Sequence, residues 1–206
     1  PSLATFLKVK ENTDLEVICM VRPRGAGFYY CDEDFEIMKL DAEILLDNGA
    51  DGIAFGCLNE EGEINITQTR EMLKIIKSYD KTAVFHRAID CVYDIDEAMN
   101  ILITMGVDRV LTSGLQSQAP RGKEMIKYLY DAYGNNIEIL AGSGINVNNV
   151  EQFLEYTGIN QVHSSCKRWI TDPTTINDKV SFSYNDDKYD AVDYELVEML
   201  VDIVEK

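Results

Sequence analysis

The stretch KTAVFHRA, residues 81–88, decides the fold. Its centre, Ala83 to Phe85, is apolar without the polar alternation of a half-exposed strand, and it stops abruptly at His86 and Arg87. Short continuous apolar runs of this kind are what a parallel strand needs when both of its faces are covered. Five more punctuate the chain: EVICMVRP (16–23), DGIAFGCL (51–58), DRVLTSG (108–114), IEILAGSG (137–144) and NQVHSS (160–165). Between them lie stretches with 3.6-residue apolar spacing. In DEDFEIMKLDAEILLDNG (32–49) the residues Phe35, Met38, Ala42, Leu45 and Leu46 share one stripe. The last such stretch is DAVDYELVEMLVDIVEK (190–206). Strand and helix therefore alternate.

A repeat reinforces the alternation. Gly49-Ala50-Asp51-Gly52-Ile53, Gly106-Val107-Asp108-Arg109-Val110 and Gly158-Ile159-Asn160-Gln161-Val162 share one pattern, spaced 57 and then 52 residues apart. Each glycine can end a helix in the left-handed conformation, after which the chain turns directly into a strand. A spacing of roughly 50–60 residues equals two strand–helix units, as in a parallel (β/α) barrel built of similar quarters. A doubly wound open sheet is the alternative, but no strand is followed by GxGxxG. The expected fold is a single α/β domain over residues 1–206, a TIM (β/α)8-type barrel.

Composition narrows the function classes. A net charge of −17 argues against nucleic acid and anionic membranes as partners, since both require a positive field. No apolar run approaches the roughly 20 residues of a membrane span, and the chain is expected in the cytoplasm. Five cysteines, an odd number without CxxC spacing, do not read as a disulfide framework.

In a barrel, functional side chains gather at the C-terminal ends of the strands. Both histidines of the chain fall there, His86 and His163, together with Arg22, Arg24 and Arg87. Small residues follow: Ser113, then Gly142, Ser143 and Gly144, then Ser164 and Ser165. This is the one place where an anion-seeking pocket is expected in an acidic protein, with the arginines as forks for carboxylate or phosphate and the last two loops offering N–H groups. Each signal has a plainer reading as rim ion pairs, ordinary loop glycines or structural histidines. In the enzyme alternative, His86 serves as acid/base, Asp90 orients its imidazole, His163 joins the catalytic set and the arginines hold a phosphorylated or carboxylated substrate. Cys57, Cys91 and Cys166 lie at or beyond strand ends and are the candidate soft ligands for Cu(I), although no motif spacing pre-organises them. A third alternative is a scaffold whose oligomer surface matters more than its pocket.

The segments VICMVRPRGAGFYY, ADGIAFGCLNEEGEIN, AVFHRAID, GVDRVLTSG, ILAGSGI and QVHSSCKR resemble, in order and spacing, the CutC family of copper homeostasis proteins, from Pro1 to about Arg168. The resemblance implies a TIM barrel, a cytoplasmic location, an association with copper and a homo-oligomer, either dimer or tetramer. Departures are mild. Ala26-Gly27 precedes Phe28 where the family usually has Gly-Gly-Asp or Gly-Gly-Asn; Gly142-Ser143-Gly144 replaces a triple glycine; Ser164-Ser165 follows the final histidine. Family members begin with a strand, a helix and a second strand carrying cysteine and glutamate. Six strands are counted here against the eight of a closed barrel, so about 30 preceding residues are expected to supply the rest. With those thiolates upstream, this chain is expected to bind copper weakly and a small anion through its arginines and two small-residue loops. His86 and His163 are expected to share one cavity with Arg22 or Arg24.

Overall fold

The computed structural model describes residues 2–174, 179, 180, 182, 185 and 187–205. Six parallel strands form one sheet in strictly sequential order: β1 (Ile18–Met20), β2 (Gly52–Phe55), β3 (Thr82–Phe85), β4 (Arg109–Thr112), β5 (Glu138–Gly142) and β6 (Val162–His163). A doubly wound sheet reverses its order midway. Here every strand pairs with the next in sequence, so the chain winds in one sense, as a (β/α) barrel does. All six strands fall inside the six apolar runs.

The connecting helices are α2 (Asp32–Asp47), α3 (Ile66–Ser78), α4 (Ile95–Met105), α5 (Lys123–Tyr133) and α6 (Val150–Thr157). The stripe expected on α2 is the stripe that is buried: Phe35, Met38, Ala42, Leu45 and Leu46. It packs towards strand residues such as Ile53, Phe55 and Phe85, each fully buried in the same core. Burial of side chains this size stabilises the fold by about 1.5–3 kcal/mol each.

The repeated glycines do what their pattern requires. Gly49, Gly106 and Gly158 adopt φ of +92°, +83° and +75° as the helices end. The aspartates of the repeat have a second use. Asp51 accepts the Val17 N–H at 2.9 Å and Asp108 accepts the Ala83 N–H at 2.6 Å, so each pins the start of the preceding strand. Lys10 and Lys77 neutralise these two carboxylates. These bonds lie at the strand starts, the end of a barrel that serves stability.

Three elements are absent from the sequence-based expectation. Helix α1 (Leu3–Asn12) precedes the sheet, capped by the Ser2 hydroxyl, which accepts the Thr5 N–H, and anchored by the buried Phe6. An antiparallel hairpin, β7 (Lys167–Thr171) with β8 (Lys188–Val192), follows β6. It leads to α7 (Tyr194–Val204), the helix expected over 190–206, which starts later because residues up to Val192 belong to β8, and which packs against α6.

Candidate functional site

A cleft of about 610 Å³ opens at the strand-end face, lined among others by Arg22, Phe28, His86, Arg87, Leu115 and His163. Both histidines and Arg22 thus share one cavity. A second cleft, of about 440 Å³, is built from the loops after β5 and β6 and contains Gly144, Ser164, Ser165 and Cys166. Ser143 and His163 line both.

His86 is the most constrained of these residues. It ends β3, donates its backbone N–H to Phe55 O at 2.7 Å, and caps a 3₁₀ turn over Arg87–Cys91. Its Nδ1 accepts the Ala88 N–H at 3.2 Å, which fixes the neutral ring with its proton on Nε2. The side chain is 3% exposed, and Nε2 has no hydrogen-bond partner among the described residues. Burial pushes the pKa down to about 4, and the positive charge of Arg22 acts in the same direction. The ring is seated on Gly56, where an added Cβ would lie 2.5 Å from Nδ1. Phe28 packs against it with ring centroids 5.1 Å apart.

Arg22 stacks over the other part of that wall. Its guanidinium carbon lies 4.7 Å from the Phe28 ring centroid, Nη2 donates to Ala26 O, and Nε is buried without a partner among the described residues. Arg87 also lines the cleft, but its Nε is bonded to Asp90 at 2.9 Å and its Nη2 donates to the Ser113 hydroxyl and to Gln116 O.

Several sequence-based assignments need correction. Asp90 does not orient His86. Its carboxylate accepts from Arg87 Nε, Thr112 Oγ1, the Ser113 and Leu115 N–H groups and the Ser113 hydroxyl, and so organises the loop after β4. Ser113 is consumed by the same network, fully buried, with its hydroxyl also against Gln116 O, and does not reach the cleft. Arg24 is not in the lining either. It is held by Asp34 at 2.8 Å and Tyr29 O and stacks on Tyr30 at 5.1 Å, so it clamps the loop as a structural residue. Gly142 serves packing, because a Cβ there would lie 2.7 Å from Leu111 and 3.1 Å from the His163 ring.

The cysteines are dispersed. Cys57 is fully buried, and burial pushes its thiol up to about 12, whereas a metal ligand must be a thiolate. Cys91 lines the first cleft and Cys166 the second. No group of three His, Cys, Asp or Glu side chains among the described residues is placed to hold a metal. These residues do not fit a thiolate copper centre.

Of the small-residue loops, Ser143 is at φ +79° with its hydroxyl on Ser117 O, and Gly144 is at φ +80° with its carbonyl accepting from Asn149 Nδ2. Ser164 donates to Ile145 O at 2.7 Å. His163 is exposed at the sheet edge, and the atoms around it still push its pKa down through desolvation. Sequence reasoning missed Met20, Phe28, Leu111 and Leu115 as lining residues. The available signal was Gly56 directly after a strand, a position where a neighbouring side chain comes close.

The family model "CutC family" matches residues 1–168. A CutC family protein of Treponema denticola is 42% identical over 175 residues, 85% of this chain and 70% of its own length. The copper homeostasis protein cutC homolog of Mus musculus is 37% identical over 167 residues. That match takes in 81% of this chain and 61% of the mouse protein, so the chain spans less than two thirds of that relative's length. The crystal structure of a CutC protein from Streptococcus agalactiae superposes with a TM-score of 0.74 at 26% identity, covering 79% of this chain and 80% of that one. The family-model match over residues 1–168 and the 42% identical relative show that this chain belongs to the CutC family.

Proposed function

We propose that the first cleft binds a small anion, held by Arg22, Arg87 and the Nε2–H of His86. One observation carries the reading: a histidine almost wholly removed from water keeps a ring nitrogen without a protein partner among the described residues, in a cleft it shares with the positive charge of Arg22. Leaving a buried polar group unsatisfied costs about 1–3 kcal/mol, a cost that a ligand oxygen on Nε2 of His86 would relieve. The enzyme alternative loses its acid/base pair, because no carboxylate among the described residues supports His86 and burial holds its pKa near 4.

The copper reading has one favourable observation, the presence of Met20, Cys91 and His163, soft and borderline donors, in the lining of the same cleft. It also rests on the relatives' names. A cytoplasmic homo-oligomer remains part of the proposal. The homo-oligomer is supported by the exposed stripe Ile37, Leu40 and Ile44 on α2, and the cytoplasmic location by the net charge of −17, which keeps a protein away from anionic membranes.

Calorimetric titration tests the anion reading. Acetate or phosphate is expected to bind the full chain, and Arg22→Ala is expected to weaken that binding about tenfold or more, the effect of losing one charge-assisted bond. Binding that is indifferent to Arg22→Ala, or stoichiometric Cu(I) binding that abolishes anion binding, contradicts it.

A further inference from the structure

The cleft also selects among anions. We propose that its ligand is a monoanionic carboxylate joined to a small apolar body, rather than a phosphate. The inference rests on the anion reading above and gives it a chemical class. It follows from three features of the lining.

First, the cationic side chains and the buried imidazole of the lining offer donors, while its other polar residues, Gln116, Ser143 and His163, are uncharged. Arg22, Arg87 and His86 present N–H groups, while the one carboxylate, Asp90, already receives Arg87, Thr112, Ser113 and Leu115. The ligand must therefore bring acceptors. Second, the charges do not call for a dianion. Arg22 and Arg87 each contribute a positive charge, Asp90 cancels one of them through its 2.9 Å ion pair with Arg87, and both imidazoles lose solvation to their surroundings, which shifts them towards the neutral form. One positive charge is left, the match for a carboxylate; a phosphate ester carries about 1.5 to 2 negative charges. Third, Met20, Phe28, Leu111 and Leu115 supply an apolar wall that a bare inorganic anion leaves unused. His86 reads the carboxylate oxygen because its tautomer is fixed by the Ala88 N–H and its position by Gly56.

The test is calorimetric titration of the full chain with isovalerate, acetate, the neutral isovaleramide and inorganic phosphate, on the wild type, Arg22→Ala, His86→Phe and His86→Gln. Isovalerate is expected to bind about tenfold or more tightly than either acetate or phosphate, since burying its isopropyl group adds to the same charge contact. His86→Phe is expected to lose about tenfold for isovalerate, and His86→Gln, whose amide can donate from a similar position, to recover most of it. If phosphate binds most tightly and loses that binding in Arg22→Ala, the carboxylate class is overturned and the anion reading stands. If isovaleramide equals isovalerate, or no probe binds at millimolar concentration, both are overturned.

Discussion

The ends of β3 and β6 look alike in sequence and differ in structure. Each is an apolar run that stops at a histidine. At β3 the histidine lies between β2 and β4, under Phe28 and against Gly56, and is 3% exposed. At β6, a two-residue strand at the edge of the sheet, His163 is exposed. What separates them is the number of neighbouring strands and loops that close over the site, a property of the whole sheet rather than of either segment. Chemistry follows from that difference. A buried imidazole with one fixed nitrogen is a pre-set donor, whereas the edge imidazole is an exposed wall shared by two clefts.

The largest expected effect is at the β3 end. Asp90→Ala removes the acceptor of one arginine, two hydroxyls and two backbone N–H groups in a site where the carboxylate is 6% exposed. A cost of about 3–5 kcal/mol in urea denaturation is expected, as for breaking a buried charge pair. A loss below about 1 kcal/mol would mean that the loop after β4 holds itself without the carboxylate, and the contrast with β6 would weaken.

Acid comes next. The His86 pKa falls from 6.5 in the unfolded chain to about 4 in the fold, so the unfolded state takes up a proton first as pH drops. The stability that neutral His86 provides is therefore complete above about pH 6.5 and lost progressively down to about pH 4, by roughly 3 kcal/mol. His86→Gln should flatten that part of the stability–pH curve. The matched change at the edge, His163→Gln, should alter it little and cost within about 0.5 kcal/mol at neutral pH, as surface substitutions do. Equal effects from the two would remove the distinction between the strand ends.

The sheet was legible because six continuous apolar runs and three left-handed glycines encode it locally. The hairpin β7–β8 was not, since its residues are mostly exposed and carry no burial pattern to read. The role of Asp90 was misread for a geometric reason. Residues 86 and 90 suggest a histidine with its orienting carboxylate, but the 3₁₀ turn between them has about three residues per turn, which eclipses Asp90 with Arg87 instead. Arg22 and Arg24 were indistinguishable in RPRG. Stacking on Phe28 places one in the cleft, and bonding to Asp34 and Tyr29 removes the other.

The central claim is that His86 is a neutral Nε2–H donor facing an anion in the first cleft. A long-range proton–nitrogen spectrum of the imidazole, recorded from pH 5 to 8 with and without isovalerate, tests it most directly. The account predicts the Nε2–H tautomer across that range, no titration near 6.5, and a shift of the Nε2 resonance on adding the carboxylate. An Nδ1–H tautomer, or a ring that protonates near its ordinary pKa and ignores the ligand, would contradict it.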